Sequence, residues 1–460
     1  MKSMIRQRPS RKQRDKKGDE QPRKSVAKRR SLRLPILCGL LVILVVAVFF
    51  NGGAVGFFNA MARNAIASKR LDTADQWLEW AKTISAENSE AEFLRSRVAR
   101  KKGELDQMAS HLKSAFKFGH DKDTLQREQD LALASLGRLS DGVEERLKER
   151  LEKYEGESDE IIDAYANGLT AISRFEEALE LLNMWETAAP QEPVANYRKA
   201  RIHEHLYQYD TAEQEYRKAL SKDPGFLKAS FHLGRVLLQQ RHPEESLKYF
   251  QACDAGASSL AARTGMAGCY RILGETEKAR TILFEVLKSS HDELLASYRS
   301  MDEVPERFVA ASDLGCIETE LGEFAEAKKH LELALQKYPL DSISRYSYAV
   351  ALRGLGMQSE AEENFEKHRA ARAALDQVST LQEAIRKDPH DSNARITIGK
   401  IILEHESERT GIFWIQSVFS YDPGNIEAHR LLAEHYADKV DRTENDKKLA
   451  AYHRSFLDKK

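Results

Sequence analysis

Apolar residues recur along most of the chain at intervals of three and four positions, the spacing that places them on one face of an α-helix. The stretch LGEFAEAKKHLELALQKYPLD, residues 321–341, is a representative example. Its small and large residues return in the same order 34 positions later. The returning residues are Gly322, Ala327 and Leu331, which reappear as Gly356, Ala361 and Phe365. The pattern predicts a series of amphipathic helices whose packing repeats at a fixed stride.

Each repeat is interpreted as a pair of helices, with a small residue in the first and a large residue in the second. A small residue lets two helices approach closely, and a large side chain on the partner helix fills the neighbouring gap. The small residues of the first helices are Ala200, Gly234, Ala267, Gly315, Ala349 and Gly399. The large residues of the second helices are Tyr216, Phe250, Leu283, Leu331 and Phe365. We therefore expect an all-α fold built from helical hairpins.

Prolines close several of these pairs. Pro190 and Pro224 are 34 residues apart, and so are Pro389 and Pro423, while Pro339 closes the stretch described first. Because proline cannot continue a helix, the chain is expected to turn at each of these positions and begin the next pair.

The residues that carry a family resemblance lie together in DLGCIETELGEFAEAKKHLELALQKYPLD, residues 313–341. This segment has the Leu-Gly of a first helix, the turn glycine Gly322, the alanine of a second helix and the closing proline. It resembles the tetratricopeptide-repeat family, whose units are 34-residue helical hairpins. The resemblance implies a right-handed superhelical solenoid whose groove is lined by the first helices. It also implies binding of an extended peptide or a partner helix, and no catalysis.

The repeats divide the chain into predicted regions. The stride breaks twice, with an insertion near SYRSMDEVPERF and an extra helix before Pro389, and residues 123–158 lose the small residues of the repeat. The remaining units are expected to form a single cooperative stack. The predicted regions are divergent repeats at 59–158, repeats at 159–293, an insertion at 294–307, repeats at 308–375, an extra helix at 376–391, and C-terminal repeats with a capping helix at 392–460.

A membrane anchor is predicted before the repeats. Residues 34–50, LPILCGLLVILVVAVFF, carry no charge, and the uncharged run continues to Phe58. Seventeen helical residues span about 26 Å and twenty-five about 37 Å, which brackets a hydrocarbon core of about 30 Å. Residues 1–33 hold 14 Lys and Arg against three Asp and Glu. Because basic residues resist translocation, this tail is expected in the cytoplasm and the body on the outer, periplasmic or extracytoplasmic, face.

Two alternatives remain open at this end of the chain. Residues 34–58 also fit a cleaved signal peptide, for which Ala60-Met61-Ala62 would be the cleavage site, although the charged leader is long for a signal. The basic tail, residues 1–33, is expected to be a disordered, solvated segment that sets the topology. Contact with anionic lipid is the main alternative. Nucleic-acid binding is not predicted, because the tail lacks interleaved aromatic residues.

Composition and motifs do not indicate an enzyme. The 460 residues are 31% charged and 42% apolar, and the near-neutral net charge of −1 separates into a basic tail and an acidic body. The chain has no glycine-rich phosphate loop, HExxH, nucleophile elbow or CxxC pair. We predict no cofactor and no metal site, since His203 and His205 are two residues apart and point in different directions on a helix. Cys253 and Cys269 are expected to pack as small apolar residues, with a disulfide as the alternative.

The repeat register predicts the residues that face the groove. They are Tyr197, Arg201, Phe231, Arg235, Tyr346, Arg353, Lys400 and Arg430. Basic and aromatic residues alternate in this set. An arginine can hold a carboxylate with two hydrogen bonds, and an aromatic ring can cover an aliphatic stem. An acidic or C-terminal peptide segment is therefore the predicted partner, although the same residues also suit ordinary solvated faces.

The leading functional hypothesis is a membrane-anchored, non-enzymatic scaffold that binds protein partners through the groove. Its resemblance to anchored repeat proteins implies work in cell-envelope assembly, secretion or maturation. The alternative is an accessory subunit of an envelope enzyme complex that handles glycans or cytochromes. Stoichiometric purification with a catalytic partner would favour that alternative. The oligomeric state is not predicted.

Overall fold

The computed structural model describes residues 53–139, 142–153, 158–172, 174–256, 259–388, 390–439 and 442–457. Throughout these ranges the regular secondary structure is helical. The predicted basic tail and residues 34–52 of the predicted membrane segment lie outside the described ranges. The last residues of that segment, 53–58, form the beginning of the first described helix.

The helices follow one another with short connections. Those of the N-terminal part are α1 Gly53–Ala67, α2 Leu71–Ile84, α3 Ser89–Lys102, α4 Leu105–Lys117, α5 Lys122–Ser135, α6 Val143–Lys153, α7 Ser158–Ala171 and α8 Phe175–Ala188. The central helices are α9 Pro193–His205, α10 Tyr209–Lys222, α11 Leu227–Gln239, α12 Pro243–Ala252, α13 Ser259–Ile272, α14 Thr276–Val286 and α15 His291–Ser300. The C-terminal helices are α16 Val309–Glu320, α17 Phe324–Lys337, α18 Ser342–Gly354, α19 Gln358–Lys387, α20 Ser392–His405, α21 Glu408–Gln416, α22 Ile426–Asp438 and α23 Glu444–Leu457.

The small residues of the first helices meet the large residues of the second helices. A methyl group added at Gly315 would lie 2.5 Å from Leu331 Cγ, and one added at Gly399 would lie 2.4 Å from Ile415 Cγ1. Phe250 packs against Gly234 in the same manner, at 3.2 Å from the built Cβ position. In these three hairpins, the large residue of the second helix thus packs directly against the glycine backbone of the first helix.

The prolines act as predicted at three described positions. Helix α8 ends at Ala188, α10 at Lys222 and α17 at Lys337, and in each case a proline follows two residues later.

Side chains also stabilise the starts of several helices by accepting hydrogen bonds from backbone N–H groups of the first turn. In α15, Ser290 and Glu293 form a reciprocal capping box.

The described chain divides into two compact units, the first ending at His120 and the second beginning at Asp121. Each unit is compact by itself, and the single cooperative stack stays a prediction. The division lies where the sequence loses the small residues that let neighbouring helices approach closely. Within the first unit the repeat is still visible, because Ala81 and Ala115, 34 residues apart, are both fully buried.

The two register breaks have a different form from the one predicted. No separate extra helix occupies 376–391, because α19 runs without interruption from Gln358 to Lys387. Its sequence offers no proline or glycine within that span to end the helix. The predicted insertion 294–307 includes most of α15, and only the residues after Ser300 leave the helical path.

None of the helices in the described ranges combines the length and the apolar composition that a bilayer-spanning helix requires.

Candidate functional site

Three of the predicted groove residues converge on one segment of the chain itself. This segment, MDEVPERF at residues 301–308, follows α15 and is called the insert segment below. The Tyr197 hydroxyl donates to Asp302 Oδ2 at 3.1 Å, and Lys228 Nζ donates to Asp302 Oδ1 at 2.6 Å. The first helices α9 and α11 therefore hold a carboxylate that lies 105 residues after Tyr197 and 74 residues after Lys228 in the sequence.

A second carboxylate of the insert segment pairs with two arginines. Arg201 Nη1 lies 3.4 Å from Glu303 Oε2, and Arg235 donates to the same oxygen. Arg201 Nη2 also donates to the carbonyl of Asp302 at 3.3 Å. These contacts have the chemistry predicted for a bound acidic peptide, but the acid belongs to the chain itself.

A buried histidine completes the contact. His232 Nε2 lies 2.7 Å from the carbonyl oxygen of Met301, and His232 Nδ1 lies 2.6 Å from Arg201 Nη1. Burial and the nearby Arg201 guanidinium lower the pKa of His232. The neutral tautomer with hydrogen on Nε2 fits both contacts, since it donates to the carbonyl and accepts from the arginine.

The charges in this cluster compensate one another. Glu204 accepts from the Tyr216 hydroxyl at 2.7 Å and lies 3.4 Å from Arg235. Burial alone would raise the pKa of Glu303, but Arg235 and Arg201 outweigh it and lower that pKa. For Asp302, burial is likewise outweighed by Lys228 and Arg198, and its pKa falls to about 2. All three carboxylates are thus ionised partners of buried or half-buried cations at neutral pH.

The other end of the insert segment contacts C-terminal helices. Arg409 Nη1 donates to the carbonyl of Val304 at 3.0 Å. Arg307 Nη1 donates to Asp313 Oδ1 at 2.9 Å, which ties the segment to the start of α16. The insert segment therefore links α9 and α11 on one side with α16 and α21 on the other.

Aromatic contacts close the same region. The Phe413 ring lies 5.4 Å from Phe175 and 5.3 Å from His205, measured between ring centroids. Trp414 is buried and stacks on Tyr207 at 6.4 Å. These residues pack α21 against the start of α8 and the end of α9.

Two predicted groove residues remain accessible on the first helix α18. The Tyr346 side chain is 48% exposed, and Arg353 is also exposed. Phe365 of α19 lies between them, with its ring 5.8 Å from Tyr346 and 5.0 Å from the Arg353 guanidinium carbon. Together these three residues present an aromatic surface with a cation at its edge, which is the combination expected for a peptide that carries an acidic group.

Two further predicted residues meet around one carboxylate. Lys400 Nζ donates to Glu427 Oε1 at 2.9 Å, and Arg430 Nη1 donates to Glu427 Oε2 at 2.6 Å. Both side chains are about half exposed, with 46% and 52% of their surface accessible. A partner carboxylate would have to compete with Glu427 for either cation.

The remaining predictions at the groove need correction. Phe231 is buried to 1% exposure and packs edge-on against Phe250 at 5.6 Å. Tyr197 is equally buried, since the insert segment covers its hydroxyl. The repeat register predicted that Phe231 and Tyr197 would face the groove. In the structure, Phe250 of α12 covers Phe231 and the insert segment covers Tyr197, so both side chains are shielded from solvent. Neither is accessible to a partner in this structure.

Cys253 and Cys269 are both free and buried, and no disulfide joins them. Cys253 Sγ lies 3.4 Å from the carbonyl of Leu227, and Cys269 Sγ lies 3.2 Å from Ser246 Oγ. Burial raises the pKa of Cys253 to about 12 and that of Cys269 to about 11. Both thiols stay protonated at neutral pH. They pack as small apolar residues, as the sequence predicted, and the alternative of a disulfide is not observed.

The described residues contain no group of three or more His, Cys, Asp or Glu arranged to hold a metal ion. His203 instead contacts Gln208 Oε1 at 2.7 Å, and His205 packs on Phe413. An open cavity of about 300 Å³ lies at the start of α8, beside His390 and Tyr421 from the connections that precede α20 and α22. Its lining residues are Arg174, Phe175, Glu176, Glu177, His390 and Tyr421. Arg174 there is already held by Glu144 at 2.7 Å.

Sequence reasoning missed the residues that complete the main cluster. Asp302 and Glu303 lie in the stretch that breaks the 34-residue stride, so the break itself was the available signal. His232 lies directly after Phe231 on α11, and Glu204 lies three residues after Arg201 on α9, but neither was among the predicted groove residues. Only the fold brings them together with Arg201 and Arg235.

Comparisons with known proteins support the repeats. Residues 205–286 match the family model described as Anaphase-promoting complex, cyclosome, subunit 3. Residues 312–376 match the model described as Tetratricopeptide repeat. No curated protein is detectably similar in sequence to this chain.

Solved structures with a similar backbone include three examples. Human IFIT1, solved as a dimer with m7Gppp-AAAA, is 16% identical with a TM-score of 0.40, covering 81% of this chain and 89% of its own. A tetratricopeptide repeat protein from Parabacteroides merdae is 15% identical with a TM-score of 0.40, covering 53% and 90%. YrrB, titled a TPR protein with an unusual peptide-binding site, is 15% identical with a TM-score of 0.25, covering 47% and 96%.

At these scores the three structures carry no argument about the function of this chain. The family matches and the helical hairpins carry the assignment instead. Residues 312–376 therefore resemble tetratricopeptide repeats, and the described hairpins around them show the same packing of small against large residues.

Proposed function

We propose that this protein is a membrane-anchored, non-enzymatic scaffold whose repeats capture an extended acidic segment of a partner protein. Residues 34–58 would anchor it, with the basic tail in the cytoplasm and the repeats on the outer face. Work in envelope assembly, secretion or maturation is part of the proposal. Tethering raises the effective concentration of the repeats near the membrane, so a modest affinity for the partner would suffice.

One observation supports this proposal above the others. The insert segment is non-helical and acidic, and its Glu303 carboxylate pairs with Arg201 and Arg235 on the first helices α9 and α11. The chain thus provides an internal example of the recognition that the proposal requires of a partner. Because these two arginines are occupied, the partner would bind at the accessible surface of Tyr346, Arg353 and Phe365.

Charge reversal at Arg353 tests the binding surface. The purified protein would be titrated with fluorescently labelled extended peptides that end in Asp or Glu, and with counterparts that end in Asn or Gln. We expect the acidic peptides to bind the native protein, and R353E to weaken that binding at least tenfold, which corresponds to about 1.4 kcal/mol.

The matched control is R372E on α19. Arg372 is 73% exposed and its nearest carboxylate, Asp376, lies 3.6 Å away, so the same charge reversal should leave binding unchanged. Equal binding by R353E and R372E, or equal binding of acidic and amide peptides, would exclude the proposed surface.

The anchor and its direction have a separate test. A reporter that is active only outside the cytoplasm would be fused after Lys460 in the full chain. We expect an active reporter in the membrane fraction. Activity only in the soluble fraction would indicate a cleaved signal, and an inactive reporter would place the repeats in the cytoplasm.

A further inference from the structure

Four aromatic side chains meet on one face of the first hairpin. Phe57 and Phe58 belong to α1, and Trp77 and Trp80 belong to α2. We call them the aromatic cluster. Ring centroids lie 5.8 Å apart for Phe58 and Trp77, 5.7 Å for Phe58 and Trp80, and 4.9 Å for Trp77 and Trp80. Phe57 extends the cluster, 6.2 Å from Trp77.

The outer side of the aromatic cluster faces solvent. Phe57 is 56% exposed and Trp80 is 51% exposed, and Ile84, one turn further along α2, is 43% exposed. Beneath them Ala74, Leu78 and Ala81 form the buried face that packs in the core of this unit. The hairpin therefore has two apolar faces, one buried in the core of this unit and one exposed to solvent. Contiguous exposed aromatic surface of this kind is typical of an interaction site.

The position of the cluster in the sequence indicates what covers it. Phe57 and Phe58 lie near the end of the uncharged run that begins at Leu34, and the first charged residue after that run is Arg63. A hydrocarbon core of about 30 Å needs about 20 helical residues, which from Leu34 ends near residue 53. Phe57 lies four residues further, or about 6 Å along a helix. That distance falls within the headgroup region, which adds about 5–7 Å on each side of the core.

The hairpin brings the tryptophans to the same level. Because α2 packs back along α1, Trp77 and Trp80 lie beside Phe57 and Phe58 rather than beyond them. Tryptophan is enriched at membrane interfaces, since its ring is largely apolar and its N–H group remains in contact with water and headgroups.

We propose that the aromatic cluster is a membrane-docking surface that inserts into the headgroup region of the same bilayer that residues 34–52 cross. This inference rests on the proposed anchor. The cluster would fix the tilt and depth of the first hairpin against the lipid, so that the anchor and the first unit are joined by contact as well as by the chain.

Tryptophan fluorescence with brominated lipids tests the proposal. The full chain would be reconstituted in vesicles whose phospholipids carry bromine near the headgroup or near the end of the acyl chain, since bromine quenches tryptophan on close contact. The four tryptophans of the chain are Trp77, Trp80, Trp185 and Trp414. The last two are only 3% and 4% exposed, so they should not be quenched.

We expect shallow bromines to quench the native protein more strongly than deep bromines do. The quenching should disappear in W77F/W80F, which keeps the rings and the fold, and persist in W414F. Circular dichroism would verify that each variant retains its helices.

Vesicle flotation distinguishes failure of the proposed anchor from failure of the proposed docking surface. If the native protein does not float with the vesicles, the anchor itself is wrong. If it floats and shallow bromines do not quench it, or quench W77F/W80F equally, the anchor stands and the docking surface is wrong. Stronger quenching by deep bromines would also overturn the proposal, because it would place the cluster in the hydrocarbon core.

Discussion

At the scale of single residues, the fold depends on positions where a side chain is missing. Gly315 is the clearest case, because Leu331 of the partner helix occupies the space that a side chain would need. The sequence alone predicted this pair, since glycine or alanine recurs at the position and a large residue recurs 16 positions later. Such pairs are readable because both members belong to one hairpin.

Replacing Gly315 by Val tests this packing. A Cβ atom at that position would lie 2.5 Å from Leu331 Cγ and 3.3 Å from the Ala327 carbonyl oxygen, so the hairpin must open. We expect the free energy of unfolding to fall by about 2 kcal/mol. The measurement is the midpoint of urea unfolding followed by circular dichroism.

Gly424 provides the matched control, because a Cβ atom there meets nothing within 4 Å. Gly424→Val should change stability by no more than about 0.5 kcal/mol. A midpoint for Gly315→Val equal to that of the control would contradict the proposed role of the small residue.

At the scale of elements, the insert segment has a defined conformation and a pH-dependent attachment. Asp302 adopts a left-handed backbone conformation, with φ of 56°, immediately after the cap of α15. Its side chain then turns toward Tyr197 and Lys228. The sequence predicted an insertion here but not its direction, because no repeat pattern applies to residues outside the stride.

Replacing Asp302 by Asn tests the electrostatic part of this attachment. The pKa of Asp302 falls from 3.8 to about 2 in the folded protein, since Lys228 and Arg198 outweigh the effect of burial. A lowered pKa stabilises the fold at pH values above about 4, and this contribution is lost as the pH falls from about 4 to about 2. We expect D302N to be less stable than the native protein by about 2 kcal/mol at neutral pH, with the difference shrinking over that acidic range.

Asparagine tolerates the left-handed conformation, so D302N changes charge with little backbone strain. Unfolding midpoints measured from pH 7 to pH 2 would give the difference between the two proteins. The exposed Asp376 is the control, and D376N should match the native protein at every pH. A difference for D302N that stays constant with pH would mean that the carboxylate charge does not hold the segment.

At the scale of the second compact unit, residues 121–460, the chain closes on itself through contacts between distant helices. Phe413 belongs to two apolar clusters, one built around Leu182 of α8 and the other around Ile398 of α20. It therefore joins early and late repeats of this unit. The insert segment links the same two regions through Arg409 and the arginines of α9 and α11.

Truncating Phe413 to Ala should weaken both regions at once. The side chain is half-buried, so we expect a loss of about 2 kcal/mol, somewhat below the cost of a fully buried phenylalanine. Hydrogen exchange measured by mass spectrometry should accelerate in 175–188 as well as in 408–416, because the two regions share the contact.

Phe284 serves as the control, since its ring is 55% exposed, and Phe284→Ala should leave exchange in both regions unchanged. Faster exchange in 408–416 alone would show that the two regions are not coupled through Phe413.

The sequence by itself determined the helical hairpins, the small and large residues that close them, and the positions where helices end before proline. These features depend on residues close together in the chain, so a fixed stride reveals them. Only the tertiary structure decided that Glu303 neutralises Arg201 and Arg235, that Phe231 is buried, and that Tyr346 and Arg353 stay accessible. The contacts of Glu303 depend on how the small rotations between successive hairpins add up over the repeats between α9 and the insert segment, and no local pattern encodes that sum. The burial of Phe231 and the accessibility of Tyr346 and Arg353 depend on which neighbouring elements cover each helix face.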